Sequence, residues 1–271
     1  MSRPLWLVHL IKKSFTSRFI AARATQIPGL GNLIDRTFFN GDDLLYLPHD
    51  RTIPIKHPLD NPSSVVLPSQ VVEHFIMQSE YHWIMNACIC RDSNHCKDYP
   101  IDYGCLFLGE AVKGINSQLG RMATKEEALE HVRRCRDVGL VHLVGRNKLD
   151  TIWLGVNPGD RLLTICNCCP CCCLWKMLPF LNPTIAGKVS KMPGISVKVT
   201  DRCEACGRCT QGVCFVNAIR LDGNHAEIGD DCRGCGRCVD VCPNGAIELI
   251  IDETKFVQHT IDRISILVDL S

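Results

Sequence analysis

The sequence lacks a strong net charge, a long apolar run and a clear signal peptide. Its formal net charge is +1 over 271 residues, which argues on bulk electrostatics against a nucleic acid as the partner. No run approaches the ~20 apolar residues that a membrane-spanning helix requires. The apolar stretch from Leu5 to Ile11 is short, and no clear small-residue cleavage site follows it. We therefore expect a cytoplasmic protein, with a position at the inner face of the membrane as the alternative.

Recognisable catalytic and nucleotide-binding patterns are also missing. No Ser/His/Asp combination and no pair of carboxylates stands out as an acid–base or nucleophilic centre. The glycines Gly29 and Gly31 do not form a dinucleotide-binding fingerprint, because no strand precedes them and the third glycine is absent. The chemistry of this chain has to be sought elsewhere.

Cysteine, in contrast, is abundant, with 19 in the chain. Disulfides would need an oxidising compartment, usually reached through a signal peptide. Without a clear signal, the cysteines are better explained as metal ligands in a reducing cytoplasm. One of them, Cys135, stands apart within a predicted helix, and we expect it to be an ordinary buried thiol.

Eight cysteines near the C-terminus fall into two sets with the same spacing. Each set has three cysteines separated by two residues and a fourth cysteine a few positions later. The first set is Cys203, Cys206, Cys209 and Cys214, and the second is Cys232, Cys235, Cys238 and Cys242. Two residues between cysteines let one tight loop direct three thiolates at three irons, while the fourth iron is bound from a distance. Zinc sites usually take their cysteines from two separated pairs, so this spacing fits zinc poorly.

This pattern resembles the bacterial two-cluster ferredoxin domain over roughly residues 195–252. The resemblance implies an α+β fold with a pseudo-twofold repeat, two 4Fe–4S clusters and single-electron transfer. It also implies that the fourth cysteine of each set completes the other set's cluster. Cluster one would then be held by Cys203, Cys206, Cys209 and Cys242. Cluster two would be held by Cys232, Cys235, Cys238 and Cys214.

The chain departs from the family pattern at one place. Four residues separate Cys209 from Cys214, where the second set has three, and Phe215 stands where Pro243 follows the second set. Gly212 is a candidate for absorbing the extra residue as a bulge. This departure makes Cys214 the least certain of the eight ligands.

Ten further cysteines lie in two groups in the N-terminal part. They are Cys88, Cys90, Cys96 and Cys105, followed by Cys166, Cys168, Cys169, Cys171, Cys172 and Cys173. Six cysteines in eight residues cannot all bind one ordinary cubane, so the run suits a folded loop or two sites that share one segment. Together the groups would hold one or more additional iron–sulfur clusters, an unusual cluster, or a zinc site beside a cluster. Iron–sulfur is the preferred interpretation, zinc the less favoured one, and buried free thiols a third.

This cysteine-rich part resembles an uncharacterised module that is fused to ferredoxin domains in anaerobic bacteria and archaea. The likeness depends on the element Cys88-Ile89-Cys90-Arg91 and on the run from Ile165 to Cys169. It implies an anaerobic redox setting and fixes no reaction.

The apolar patterns predict a mixed α/β scaffold around these ligands. Thr124 and Glu127 form a predicted capping box for a helix that ends near Gly139. The remaining predictions are a helix over 69–80, a strand over 81–90, a hairpin from strands 140–144 and 151–156, and a strand over 162–166. His82 and His95 are expected to be core and loop residues, with metal ligation as the alternative. A winged-helix role in DNA binding is the less favoured interpretation of the helix and ribbon.

The N-terminal residues have a different pattern. Apolar residues recur at helical steps from Leu5 to Phe19 among basic ones, and Trp6 accompanies them. Residues 3–23 are therefore predicted to form a basic amphipathic helix that packs on protein or contacts a membrane surface. The stretch from Gly29 to Pro68 is predicted to be an extended arm. The predicted divisions are 1–64 for helix and arm, 65–194 for the cysteine-rich domain, 195–252 for the ferredoxin domain and 253–271 for a C-terminal tail.

These patterns predict an iron–sulfur electron-transfer protein, working as a wire or as the electron-transfer subunit of a larger reductase. Its partner would be another redox protein or a reductase complex. Two alternatives stay open. The chain is a reductase if an N-terminal cluster has an iron open to substrate, and a redox or metal sensor if the cysteine loop is exposed.

Overall fold

The computed structural model describes residues 3–50, 67–251 and 255–270. The strands are β1 Asp43–Tyr46, β2 His82–Met85, β3 Leu106–Leu108, β4 Gly120–Ala123, β5 Val141–Arg146, β6 Leu163–Cys168, β7 Val189–Lys191, β8 Ile195–Val199, β9 Ile219–Asp222, β10 His225–Ile228 and β11 Ile247–Ile251. The α-helices are α1 Leu5–Lys13, α2 Arg18–Ala24, α3 Leu30–Ile34, α4 Ser69–Gln78, α5 Ile89–Ser93, α6 Lys125–Asp137, α7 Lys148–Leu154, α8 Pro183–Ala186, α9 Arg237–Asp240 and α10 Phe256–Ser265. The chain therefore has a mixed α and β architecture.

A seven-stranded sheet organises the N-terminal part, with the order β4-β2-β3-β6-β5-β1-β7. Adjacent strands of this sheet are antiparallel, except that β1 and β7 are parallel to each other. The central strand β6 carries Cys166 and Cys168, and Leu106 of β3 pairs with Ile165. This register places Cys105 beside the cysteines of β6.

Helices cover one face of the sheet. Val72 and Phe75 of α4, Val132 of α6 and Ile264 of α10 belong to one buried apolar cluster. The helices form because their apolar residues recur at three- and four-residue steps, which places them on one side. The predicted helix over 69–80 is confirmed as α4. The C-terminal segment, expected to be a tail, contains a helix that packs on this core.

The C-terminal part has two small antiparallel sheets, β8 with β11 and β9 with β10. Strand β8 includes Val197–Val199, and β10 includes Ala226–Ile228. The two cysteine sets lie in the segments between these strands, with Cys238 in the short helix α9.

The N-terminal residues are more structured than the sequence indicated. The predicted amphipathic helix is divided into α1 and α2 by a 3₁₀ turn at Phe15–Ser17. The expected extended arm is wrong for residues 30–46, which form α3, a π-helical turn at Asp35–Phe39 and β1. Because Leu44, Leu45 and Tyr46 are almost fully buried, β1 is an interior strand of the sheet. The rest of the predicted arm, residues 51–66, lies outside the described residues.

Two local predictions around the first cysteine group are also wrong. The strand expected over 81–90 ends at Met85, and Cys88 is the N-cap of the short helix α5, which begins at Ile89. The second strand of a hairpin was expected over residues 151–156, but 151–154 belong to α7, which ends before Gly155. Strand β5 pairs with β1 and β6, so no ribbon of the winged-helix kind forms there.

Other predictions hold. The capping box is present, since Glu127 N donates to Thr124 Oγ1 at 3.2 Å and Thr124 N donates to Glu127 Oε2 at 2.9 Å. The helix ends before Gly139, which has φ of 81°. The strand predicted over 162–166 is β6. Within the described residues, no helix is long and apolar enough to span a bilayer.

Candidate metal centres

Two neighbouring cavities lie in the C-terminal part, and each is ringed by four cysteines. One is surrounded by Cys203, Cys206, Cys209 and Cys242. The other is surrounded by Cys214, Cys232, Cys235 and Cys238. In each cavity three cysteines come from one set and the fourth comes from the other set. Cys206 is exposed, whereas Cys209 is buried, so the first cavity approaches the surface on one side.

Backbone N–H groups point at several of these sulfurs. Ala218 N donates to Cys214 Sγ at 3.3 Å and Ala246 N donates to Cys242 Sγ at 3.2 Å, the same four-residue step in both sets. Ala226 N donates to Cys203 Sγ at 3.4 Å, and Gly234 N donates to Cys232 Sγ at 3.4 Å. Such donors stabilise negative charge on a ligating sulfur. The donor set therefore fits iron–sulfur clusters.

The loops of the two sets share an unusual backbone. Left-handed φ angles occur at Ala205 (50°) and Gly234 (64°), each one residue before the second cysteine of its set. They recur at Asn217 (55°) and Gly245 (56°), each three residues after the fourth cysteine. Glycine tolerates such angles without strain and asparagine tolerates them better than most residues. The two loops therefore bend in the same way despite their different sequences.

The extra residue of the first set lies at a glycine. Gly212 has φ of 70° and no heavy atom within 4 Å of the position that a Cβ would occupy. The bulge is therefore accommodated in open space, and Cys214 still lines its cavity.

Burial opposes the charged form of two thiols that line the second cavity. Burial raises the pKa of Cys235 to about 11 and also raises the pKa of Cys232. A metal that binds these sulfurs displaces the protons, so ligation depends on pH.

The N-terminal cysteines fold into two groups that do not follow their order in the chain. Seven of them line a cavity of about 380 Å³. One of the seven, Cys169, also belongs to a second group, whereas the other six do not. These six are Cys88, Cys90, Cys105, Cys166, Cys168 and Cys173, and we call their space the sulfur cavity. The remaining group is Cys96, Cys169, Cys171 and Cys172.

The pairing of β3 with β6 and the start of α5 bring the cysteines of the sulfur cavity together. Cys88 is the residue before α5, Cys105 directly precedes β3, and Cys166 is on β6. The Sγ atoms of Cys105 and Cys166 are 3.8 Å apart. The two long-separated cysteine groups of the sequence therefore do meet in space.

A buried arginine crosses the base of this cavity. Arg91 has no exposed surface, and its guanidinium donates to Asn167 O at 2.7 Å, to Pro100 O at 2.8 Å and to Tyr103 O. Burial opposes its charge, but nearby thiolates such as Cys88 outweigh burial and raise the pKa of Arg91. A fixed positive charge beside six sulfurs favours an anionic metal–thiolate group there.

The other walls of the sulfur cavity are mostly apolar. They include Ile11 and Phe15 from the N-terminal helices, together with Trp153 and Trp175. Arg18 also borders the cavity, with its guanidinium 4.2 Å from the centre of the Phe15 ring. The N-terminal helices thus pack on the protein's own metal-ligand region.

Two aromatic rings connect the second C-terminal cavity with the sulfur cavity. The rings of Tyr46 and Phe215 have centroids 4.7 Å apart. Tyr46 Oη lies 3.6 Å from Cys173 Sγ, and Arg237 donates to Cys168 O. Phe215 follows the ligand candidate Cys214, and Tyr46 is on β1. The two metal-ligand regions are therefore in direct contact.

Sequence reasoning gave no role to Tyr46, because it assigned the segment to an arm. The signal that could have revealed it is the apolar run Leu44-Leu45-Tyr46-Leu47, which is typical of a buried strand. Cys135 is fully buried, as predicted, and its Sγ lies 3.8 Å from His131 Nε2. His82 is a core residue that bonds Ile76 O at 2.7 Å, and His95 is exposed.

Comparison with known protein families matches residues 228–248 to the 4Fe-4S binding domain. The match indicates an iron–sulfur protein with at least one 4Fe–4S cluster. The particular part matched is the second cysteine set, Cys232 to Cys242. No curated protein and no solved structure matches the chain.

Proposed function

We propose that this chain is an electron-transfer protein with two 4Fe–4S clusters in its C-terminal part and a third metal–sulfur centre in the sulfur cavity. The observation that carries the proposal is the contact between the two ligand regions through Phe215 and Tyr46. Such a contact is expected where single electrons are exchanged between neighbouring centres. The setting would be an anaerobic redox system.

The ligands of the first cluster would be Cys203, Cys206, Cys209 and Cys242. Those of the second would be Cys214, Cys232, Cys235 and Cys238. Three features support a pseudo-twofold ferredoxin repeat. The fourth cysteine of each set lines the other set's cavity, and the two sets share the same hydrogen bonds to Sγ atoms and the same left-handed backbone positions.

A bound 4Fe–4S cluster supplies a site that takes up and releases one electron at a potential set by its surroundings. The chain's residues control those surroundings. Ala218 N and Ala246 N donate to ligand sulfurs, while Phe215 and Val216 are buried beside the second cavity and exclude water. Hydrogen bonds to ligand sulfurs and exclusion of water are the protein's main means of setting the potential.

The sulfur cavity offers more thiolates than one cubane needs. Seven cysteines line it, Cys169 included, and the buried Arg91 offsets their negative charge. These features support an additional iron–sulfur cluster held by cysteines of β6, of the start of α5 and of the position before β3.

The partner would be a redox protein that docks where the first cavity nears the surface. Cys206 is exposed there, which lets a partner approach the first ligand set closely. Peripheral membrane contact through residues 3–23 is a second proposal. It is supported by Trp6 and Ile20, which are 66% and 70% exposed, and by the exposed Lys13.

A second candidate function is that of a reductase. The sulfur cavity is lined largely by apolar and aromatic side chains, and its volume of about 380 Å³ is in the range of small-molecule sites. A small substrate could bind there between Trp153, Trp175 and the cysteines. This function requires an iron in the sulfur cavity with an open coordination position.

The test is the content of iron and acid-labile sulfide in anaerobically purified protein, with EPR of the reduced sample. About eight irons per chain would correspond to two cubanes, and about twelve or more to an additional centre. A Cys105→Ser, Cys166→Ser double variant should lose only the additional iron. The matched control is Cys135→Ala, which removes a buried thiol that borders neither cavity. Fewer than about eight irons with no ferredoxin-type signal would contradict the proposal.

Further measurements on the same purified protein distinguish between the competing functions. A substrate at an open iron should change the EPR signal of the additional centre, and a wire should show no such change. A sensor should lose a cluster reversibly and change its binding to a partner protein when it does.

A further inference from the structure

The cysteines Cys96, Cys169, Cys171 and Cys172 form a second group, in which only Cys169 also lines the sulfur cavity. All four Sγ atoms lie within 4.8 Å of one another, and those of Cys96 and Cys171 are 3.6 Å apart. With a zinc–sulfur distance of about 2.3 Å, four sulfurs around one zinc ion stand about 3.8 Å from each other. The spacing therefore suits four thiolates that share one metal ion.

A cubane cluster would demand a different spacing. Each of its ligand sulfurs binds its own iron, so the four sulfurs stand farther apart than sulfurs that converge on a single ion. The short Cys96–Cys171 distance favours the single ion. Four cysteine ligands also fill a tetrahedral coordination sphere, which is typical of structural zinc and leaves no position for substrate.

The surrounding backbone is arranged for such a site. Pro170 lies in the turn that brings Cys169 and Cys172 together, and Cys172 N donates to Cys169 Sγ at 3.3 Å. Cys96 lies in the segment after α5. In the same segment, Asn94 Nδ2 donates a hydrogen bond to Cys172 O at 3.5 Å. The group thus ties two distant segments together.

We infer that Cys96, Cys169, Cys171 and Cys172 bind one zinc ion in a closed tetrahedral site. The ion cross-links the loop after β6 to the segment after α5. Cys168 and Cys173 of the sulfur cavity flank this loop, and Cys88 and Cys90 precede the segment. The zinc site therefore holds the two halves of the sulfur cavity in register, while taking no part in electron transfer.

The first experiment measures zinc and iron per chain in the anaerobically purified full chain. We expect about one zinc ion per chain, and we expect Cys171→Ser to lose most of it. Cys135→Ala is the matched control, because Cys135 lies in the same apolar cluster but outside the four ligands; it should keep its zinc. Absent zinc, iron in its place, or zinc retained by Cys171→Ser would overturn the inference.

Zinc X-ray absorption on the unmodified chain decides the matter even if a variant fails to fold. Four sulfur neighbours at about 2.3 Å are expected, and nitrogen or oxygen in the first shell would overturn the assignment. This result is independent of the proposed function. Missing iron would contradict the proposed function, whereas missing zinc would contradict this inference.

Discussion

Single residues with unusual backbone angles determine how the cysteine loops bend. Ala205 adopts φ of 50° at a position where the second set has Gly234. A left-handed angle costs a residue with a Cβ about 1–2 kcal/mol. The first loop therefore carries strain that the second loop avoids.

We predict that Ala205→Gly stabilises the first cluster loop. Relief of strain is partly offset by the greater freedom of glycine in the unfolded chain, so the net gain should be about 0.5–1 kcal/mol. The measurement is the temperature at which cluster absorbance is lost under anaerobic conditions. The reverse change, Gly234→Ala, should lower that temperature, because its Cβ would lie 3.1 Å from Lys191 Cβ. Equal temperatures for all three proteins would contradict the strain argument.

Cys214 is the ligand candidate that the sequence left least certain. Its thiol lines the second cavity and accepts from Ala218 N at 3.3 Å. We predict that Cys214→Ser lowers the iron content by up to about four per chain and removes one EPR signal. The comparison is Cys135→Ala, which should retain all of its iron. Unchanged iron and EPR in Cys214→Ser would exclude Cys214 as a ligand.

Among the elements, α7 shows where local pattern and tertiary structure disagree. Residues 151–156 are mostly apolar, so a strand was the natural prediction. The helix forms because Lys148 N donates to Asp42 Oδ1 at 2.7 Å, Asn147 Nδ2 donates to Asp150 Oδ2 at 2.7 Å, and Gly155 ends it with φ of 71°. A cap supplied by a residue more than a hundred positions away is invisible to local pattern.

That distant cap predicts a pH-dependent stability. Burial raises the pKa of Asp42 to about 7, against about 3.9 in an unfolded chain. Asp42 therefore binds its proton more tightly in the folded state than in the unfolded chain. The resulting contribution to the free energy of unfolding is present below about pH 4 and is lost as the pH rises through 7. Asp42→Asn stays neutral and keeps an oxygen for Lys148 N. We expect it to be more stable than the original protein at pH 8, by about 1–3 kcal/mol.

The measurement is thermal unfolding by circular dichroism at pH 5 and pH 8. The difference between the two proteins should shrink or reverse at pH 5, where Asp42 is protonated. A constant difference at both pH values would mean that Asp42 is not the titrating group.

Sequence alone could predict the elements whose cause is local. The capping box at Thr124, the periodic residues of α4 and the repeated cysteine spacing each act over a few positions. The division of the N-terminal cysteines could not be predicted, because Cys168 lines only the sulfur cavity, whereas its neighbour Cys169 also belongs to the second group. Only the pairing of β3 with β6 and the turn at Pro170 separate them.

At the scale of the whole molecule, the two ligand regions contact each other through Phe215. It is 5% exposed and packs against Tyr46 of the central sheet. In the second set Pro243 occupies the equivalent position, and the backbone three residues after the fourth cysteine has the same left-handed angle in both loops. A proline at position 215 is therefore compatible with the first loop, whereas the phenylalanine there contacts Tyr46 of the seven-stranded sheet.

We predict that Phe215→Pro separates cluster binding from communication between the domains. The eight C-terminal cysteines should keep their positions, so the iron and EPR signals of the two proposed clusters should persist. The ring contact with Tyr46 is lost and water enters between the second cavity and the sulfur cavity, so reduction of the N-terminal centre should become several-fold slower. Anaerobic stopped-flow absorbance after mixing with dithionite measures both phases, and Phe215→Leu, which keeps an apolar side chain, should show an intermediate rate. If Phe215→Pro reduces its N-terminal centre as fast as the original protein, the contact with Tyr46 is only structural packing.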